Sequence, residues 1–281
     1  MTLEVSLAVL LAALLHAAWN ALLKGASDVL LKTAAIVAAA GVVMAPLALI
    51  VPLPARASWP YLAASIATHV AYYFCMVSAY RIGDLSLAYP LMRGVAPLIT
   101  AALGIAFIGE LPGLWSWLGI MMICIGVLAL ALHADSAARG QHGKAVAFAL
   151  ANAGVIAVYT IIDGIGARSA GNPWSYSVWL FVLDAIPFTV WILATRRREF
   201  VAFVAAQPGK SLAGGAASAA AYAIAIWAMT HAPVAAVAAL RETSVLFAAL
   251  IGARVLNERL TARRWAGVAA VVAGVMALKL A

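Results

Sequence analysis

The sequence predicts an all-α membrane protein: ten transmembrane helices arranged as two inverted five-helix repeats. Three observations predict it. The 281 residues are 66% hydrophobic and only 10% charged, with mean hydropathy +1.04. A soluble domain averages about 45–50% apolar and about 25% charged residues, so these charges are too few to cover a water-facing surface. The apolar residues fall into ten segments whose lengths suit the roughly 20 residues of a membrane-crossing helix. Finally, the second half of the chain repeats residues of the first in a fixed register.

The segments run over 3–23, 33–51, 59–80, 86–108, 114–132, 145–167, 174–194, 211–230, 234–256 and 264–280. They lack the roughly 10-residue alternation of a membrane barrel strand. The opening "MTLEVSLAVLLAALLHAAW" has no basic leader region and no small-residue cleavage site, so it reads as a first span rather than a signal peptide. Turn and charge clusters mark the breaks: "KGASD", "VPLPARAS", "RIGD", "GELPG", "HADSAARGQHGK", "RSAGNP", "RRREF", "QPGK", "HAP" and "NERLTARR". Cys75 and Cys124 both sit inside apolar runs and read as reduced packing residues.

A shift of 148 residues places Arg241 on Arg93, Gly252 on Gly104, Glu258 on Glu110, Trp265 on Trp117, Gly267 on Gly119 and Gly274 on Gly126. A slightly smaller shift aligns Trp19 with Tyr159. The expected units are therefore 1–135 and 143–281. A unit of five spans ends on the side opposite to its start, so the second copy must be inverted. Inverted repeats place a substrate site near the midplane between the copies in many secondary transporters. Thirteen of the eighteen Lys and Arg residues fall on the side of the odd-numbered junctions and three on the other; Arg93 and Arg241 lie inside spans. The positive-inside rule then puts both termini outside, periplasmic in a bacterial inner membrane. The same distribution explains the net charge of +8 without nucleic acid.

Polar residues within the spans are the candidate site. An arginine at a helix centre costs roughly 2.5–3.5 kcal/mol on insertion scales, so two at matching positions should face an interior or a wet cavity. Arg93 or Arg241 can hold an anionic group by a forked pair of hydrogen bonds. Glu242, about 100° further round its helix, can bind an amine or carry a proton; alternatively it pairs with Arg93 and locks spans 4 and 9 together. Tyr89 shares a helix face with Arg93, and Pro90 and Pro97 bracket it. Ser244 follows the charged pair. In span 3, His69, Tyr72, Tyr73 and Tyr80 recur at helical spacing, as a cavity wall or as packing. In span 1, His16, Trp19 and Asn20 share a face. Tyr159, Tyr222 and Trp227 are further wall candidates. Asp184 and His69, with Glu242, are the candidate coupling groups. Asp163 is expected near the end of its apolar stretch, where a carboxylate is cheap. Glu110 and Glu258 are expected to cap the following helix or pair with a loop arginine such as Arg259 or Arg263. The five histidines and two cysteines have no metal-ligand spacing, no cofactor is implied, and "GIGARSAG" (164–171) lacks the strand–turn–helix setting of a nucleotide loop, so no enzyme is expected.

The opening "LLHAAWNALLKGASD" (14–28), the pattern "IGELPGLWSWLGIMMICIGVLAL" (108–130) with its echo "LNERLTARRWAGVAAVVAGVMAL" (256–278), and the five-plus-five duplication resemble the drug/metabolite transporter superfamily, in particular its EamA-type ten-helix members. The resemblance covers the whole chain. It implies export or exchange of small metabolites, with spans 1, 3, 4, 6, 8 and 9 lining the cavity. The expected function is secondary active transport of a small polar metabolite, such as an amino acid or related zwitterion or anion, by alternating access. The partners would be that substrate, possibly a coupling proton, and the lipid bilayer, in a monomer or homodimer. The rivals are proton-coupled export of hydrophobic cations with Glu242 as receptor, a facilitative uniporter, and a non-transporting scaffold.

Overall fold

In the computed structural model, which describes residues 1–23, 28–82, 85–131, 142–248, 250 and 262–281, helix follows helix with short connections. They are α1 (Leu3–Leu23), α2 (Val29–Ala48), α3 (Trp59–Ile82), α4 (Leu85–Phe107), α5 (Leu114–Ala131), α6 (His142–Ser169), α7 (Pro173–Ala206), α8 (Pro208–Met229), α9 (Val234–Arg241) and α10 (Ala262–Leu280), with a single 3-10 turn at Arg56–Ser58 before α3. Among the described residues seven helices are long and apolar enough to cross a membrane; Leu114–Leu130 and Trp265–Leu280 are shorter apolar helices. α1 shows how a span divides its faces. Val5, Val9, Ala12, Ala13 and Ala17 are buried, while Leu3, Leu7, Leu11 and Leu14 form an exposed apolar stripe suited to lipid.

The ends follow local chemistry. α2 starts earlier than the apolar pattern suggests because the Asp28 carboxylate accepts the Leu31 N–H at 3.0 Å. After α4, Gly109 adopts φ +74°, and the Glu110 N–H turns back to the Gly104 carbonyl. Asn172 caps α7, with Pro173 in its first turn. α7 then runs past the expected end at 194. It bends at Arg196, whose φ and ψ (−139°, 39°) are not helical, and continues to Ala206. Beyond the bend Phe200 is buried with Phe203 and Val204 against α2, while Arg197 and Arg198 are exposed.

The ninth span is not the single helix expected over 234–256. α9 stops at Arg241, Glu242 and Thr243 form a turn, and a second helical stretch covers 244–248. The Glu242 and Thr243 N–H groups bond carbonyls three residues back, and the Thr243 hydroxyl bonds Leu240 O. That side-chain bond offers the backbone an alternative to the α-helical ladder.

Helix contacts carry the duplication into three dimensions. α5 packs on α10, α2 on α7 and α4 on α9, each helix on its own counterpart; α1 packs on α8 as α3 packs on α6. At the α5–α10 contact, Gly119 faces Gly274 and Gly126 faces Gly267. Those four glycines are repeat equivalents met in reverse order, so the two helices cross antiparallel. The chain is thus two five-helix units of opposite sense. A Cβ at Gly126 would stand 2.7 Å from Gly267 O, and one at Gly274 2.8 Å from Gly119 O. Small residues are what let membrane helices approach this closely.

Candidate functional site

Between the two units lies a cavity of about 70 Å³. On this measure a water needs about 10–15 Å³, so the space suits several waters or part of a small metabolite. Its wall comes from α1 (His16, Trp19), α2 (Thr33, Ile36, Val37), α3 (His69, Tyr72, Tyr73, Met76), α6 (Tyr159), α7 (Leu180, Phe181, Asp184), α8 (Ser218, Tyr222) and α9 (Arg241). The residues from α1 and α2 lie in the halves of those helices nearer the basic junctions.

The two equivalent arginines have different surroundings. Arg93 is buried on α4, its Nε 2.9 Å from Glu242 Oε2, with side chains of both residues 4% exposed. Its Nη2 also lies 2.7 Å from His16 Nε2. Trp19 Nε1 approaches the other ring nitrogen of His16 at 3.2 Å. A neutral imidazole has one acceptor nitrogen, so the shorter, charge-assisted contact from Arg93 takes it and Trp19 packs edge-on. Arg241 is also buried, but among the described residues it has no ion pair and no side-chain hydrogen bond. Its guanidinium lies over the Tyr222 ring, 4.7 Å from the centroid, and faces the cavity.

A chain of hydroxyls and carboxylates supports this wall. Tyr222 OH donates to Asp163 Oδ2 at 2.5 Å and Tyr176 OH to Oδ1 at 2.9 Å. Asp163 lies near the end of α6, as expected, but it is fully buried there rather than cheaply solvated. It is affordable there because two phenols satisfy both oxygens. Gly166 leaves the room that the Tyr176 ring occupies. Tyr73 OH donates to Asp184 Oδ2 at 2.7 Å, while Asp184 Oδ1 has no protein partner among the described residues. His69 stacks on Tyr159 at 4.4 Å and bonds Ser65 Oγ at 3.1 Å.

Of the other candidates, Asn20 bonds its own helix at His16 O, and Trp227 stacks on Trp174 at the end of the bundle, away from the cavity wall. Tyr89 and Ser244 lie outside that wall with hydroxyls unpartnered among the described residues. The Tyr80 side chain and Glu258 lie outside the described residues. The implied lining also needs correction. α2 and α7 contribute, whereas no described side chain of α4 belongs to the wall, and Arg93 touches it through His16. Thr33, Ile36, Val37, Leu180, Phe181 and Ser218 were missed because apolar and small residues leave no chemical mark in an apolar span.

The face opposite the basic junctions is stitched together. Glu110 pairs with Arg168 at 2.6 Å and accepts the Val234 N–H at 2.8 Å, at the start of α9. Arg168 also donates to Met229 O and Ala232 O. So Glu110 pairs with an arginine, as one of the two expected roles had it, but that arginine is Arg168, and the contact joins the two units; Arg259 and the Arg263 side chain lie outside the described residues. On the other face Arg196 holds Asp28 at 2.7 Å.

The comparisons with known proteins accord with this geometry. The model of the EamA-like transporter family matches residues 4–132 and again 143–280. A solved structure, titled only as a crystal structure of protein, aligns with TM-score 0.75 at 17% identity, covering 99% of this chain and 96% of that one; it speaks to the fold alone. A search of curated proteins finds no match. With the family's model covering both halves of a ten-helix chain, the protein belongs to the EamA-like transporter family and is a multi-pass membrane transporter of the drug/metabolite type.

Proposed function

We propose that this chain is a secondary active transporter, an exporter or exchanger, that moves a small amino acid or related zwitterion or anion by alternating access. The observation that carries this reading is Arg241: a buried guanidinium with no anionic partner among the described residues, seated over Tyr222 and facing the cavity. A carboxylate of the cargo would complete it with a charge-assisted, forked hydrogen-bond pair. Arg93 and Glu242 would act as the tie between the units, opening as the turn at Glu242–Thr243 flexes. The Glu110–Arg168 network supports a state closed on the face opposite the basic junctions. The thirteen-to-three distribution of cations supports a bacterial inner-membrane orientation with both termini periplasmic.

The test is counterflow into proteoliposomes with radiolabelled amino acids, comparing wild type with Arg241→Gln and Arg241→Lys. Loss of about tenfold or more in Arg241→Gln, with partial retention in Arg241→Lys, is expected. Equal flux through wild type and Arg241→Gln would remove the anion-receptor role.

A further inference from the structure

We propose that Asp184 is the ammonium receptor of this cavity, a second pole that rests on Arg241 serving as the anion receptor. Among the described residues the cavity wall carries one arginine and one acid, Arg241 and Asp184. The other buried acids are already committed. Both oxygens of Asp163 accept from tyrosines, and Glu242 faces Arg93. Neither belongs to the wall. Asp184 is 3% exposed and only half satisfied: Tyr73 holds Oδ2 at 2.7 Å, and Oδ1 is left without a protein partner among the described residues. A buried carboxylate oxygen with no donor is costly, and a protonated amine supplies both the donor and the charge.

A series of ring contacts connects the two poles. Tyr73, which holds Asp184, is 6.4 Å from His69; His69 is 5.9 Å from Tyr222; Tyr222 lies 4.7 Å beneath Arg241. Aromatic rings thus line the wall between acid and guanidinium, and the side chain of a small amino acid can pack against them. A simple anion would leave Asp184 unanswered, and a simple cation would leave Arg241 so. The cargo class is therefore a zwitterion, recognised at both ends. This assigns the amine to Asp184 on α7, in the second unit's own second helix, and releases Glu242 from that task.

The test measures thermal stabilisation of the purified full chain by matched probes: L-alanine with propionate and ethylamine, L-valine with isovalerate and isobutylamine, L-phenylalanine with 3-phenylpropionate and phenethylamine. In at least one set the amino acid should stabilise wild type at a concentration about tenfold or more below that of either partner. Asp184→Asn should lose the preference for the amino acid over the acid while keeping its preference over the amine. Asp184→Glu should keep both. If Asp184→Asn does not purify, Tyr73→Phe is read instead and should change the amino acid-to-acid ratio by about threefold or more. An Asp184→Asn protein that keeps the wild-type ratio, or an unchanged ratio in Tyr73→Phe, overturns the proposal. Equal stabilisation of wild type by acid and amino acid also overturns it while leaving the Arg241 reading in place. Response to neither acids nor amino acids sinks the Arg241 reading and this one with it.

Discussion

Removing the carboxylate of Glu242 should destabilise the protein far more than its single ion pair would on a surface. The pair joins α4 of the first unit to the turn after α9 of the second, at 2.9 Å, with 4% of each side chain exposed. Two unit charges about 4 Å apart attract by about 4 kcal/mol at an effective dielectric constant near 20. Breaking a buried pair from one side leaves the other charge stranded, which costs about 3–5 kcal/mol. For Glu242→Gln the stranded group is Arg93, whose charge keeps only the neutral acceptors His16 and the new amide oxygen among the described residues. The double variant Arg93→Met with Glu242→Gln leaves no charge behind and should recover most of the loss. The assay is the unfolding midpoint in a mixed-micelle SDS titration for wild type, both single variants and the double. Two unstable single variants and a double variant more stable than either are expected. A Glu242→Gln protein as stable as wild type, or single losses that simply add, would refute that expectation.

Three further outcomes are expected. Glu110→Gln should weaken the stitched face by about 1 kcal/mol, since the Arg168 pair is partly exposed; labelling of a cysteine placed on that face should rise about fivefold. Gly126→Ala should cost about 1–3 kcal/mol in the same SDS titration, because its Cβ would meet backbone at 2.7 Å, whereas Gly154→Ala, with nothing within 4 Å, should be neutral or stabilising. For Asp28, burial alone would raise its carboxyl, but the Leu31 N–H and Arg196 outweigh it and hold the group below its ordinary value. A depressed acid contributes its stability above the unfolded value of about 3.9 and loses it as pH falls through the lower folded value. Wild type should therefore lose, on acidification below about pH 4, a stabilisation that Asp28→Asn never has, measured by thermal unfolding across that range.

Much of the architecture was legible because a bilayer enforces it: ten apolar runs, a fixed-register repeat and an odd span number leave little choice but inversion. The glycines seven apart in spans 5 and 10 signalled close packing, and the structure sets them against their own counterparts in reverse order. The break after Arg241 was not predicted, since neither proline nor glycine marks it; its signal is four consecutive polar residues, Arg241 to Ser244, in an apolar run. Arg93, Arg241 and Glu242 stood out because charge is rare at membrane depth. The sequence named Arg93 as a possible partner of Glu242 but left open whether it pairs there or meets cargo, because that depends on how two distant helices meet. Asp163 looked unremarkable for the same reason: its tyrosine partners lie 13 and 59 residues away.

The most direct test of the account is whether the space around Arg241 is the route that cargo takes. Ser218 lies on the cavity wall and is partly buried, so a cysteine there, in a protein with Cys75 and Cys124 replaced by serine, reports on it. The measurement is its rate of modification by a membrane-impermeant thiol reagent with and without a transported amino acid. The account predicts labelling from the basic-junction face, slowed severalfold by cargo, with that protection lost when Arg241→Gln is added. Unchanged labelling in the presence of saturating, transported cargo would contradict it.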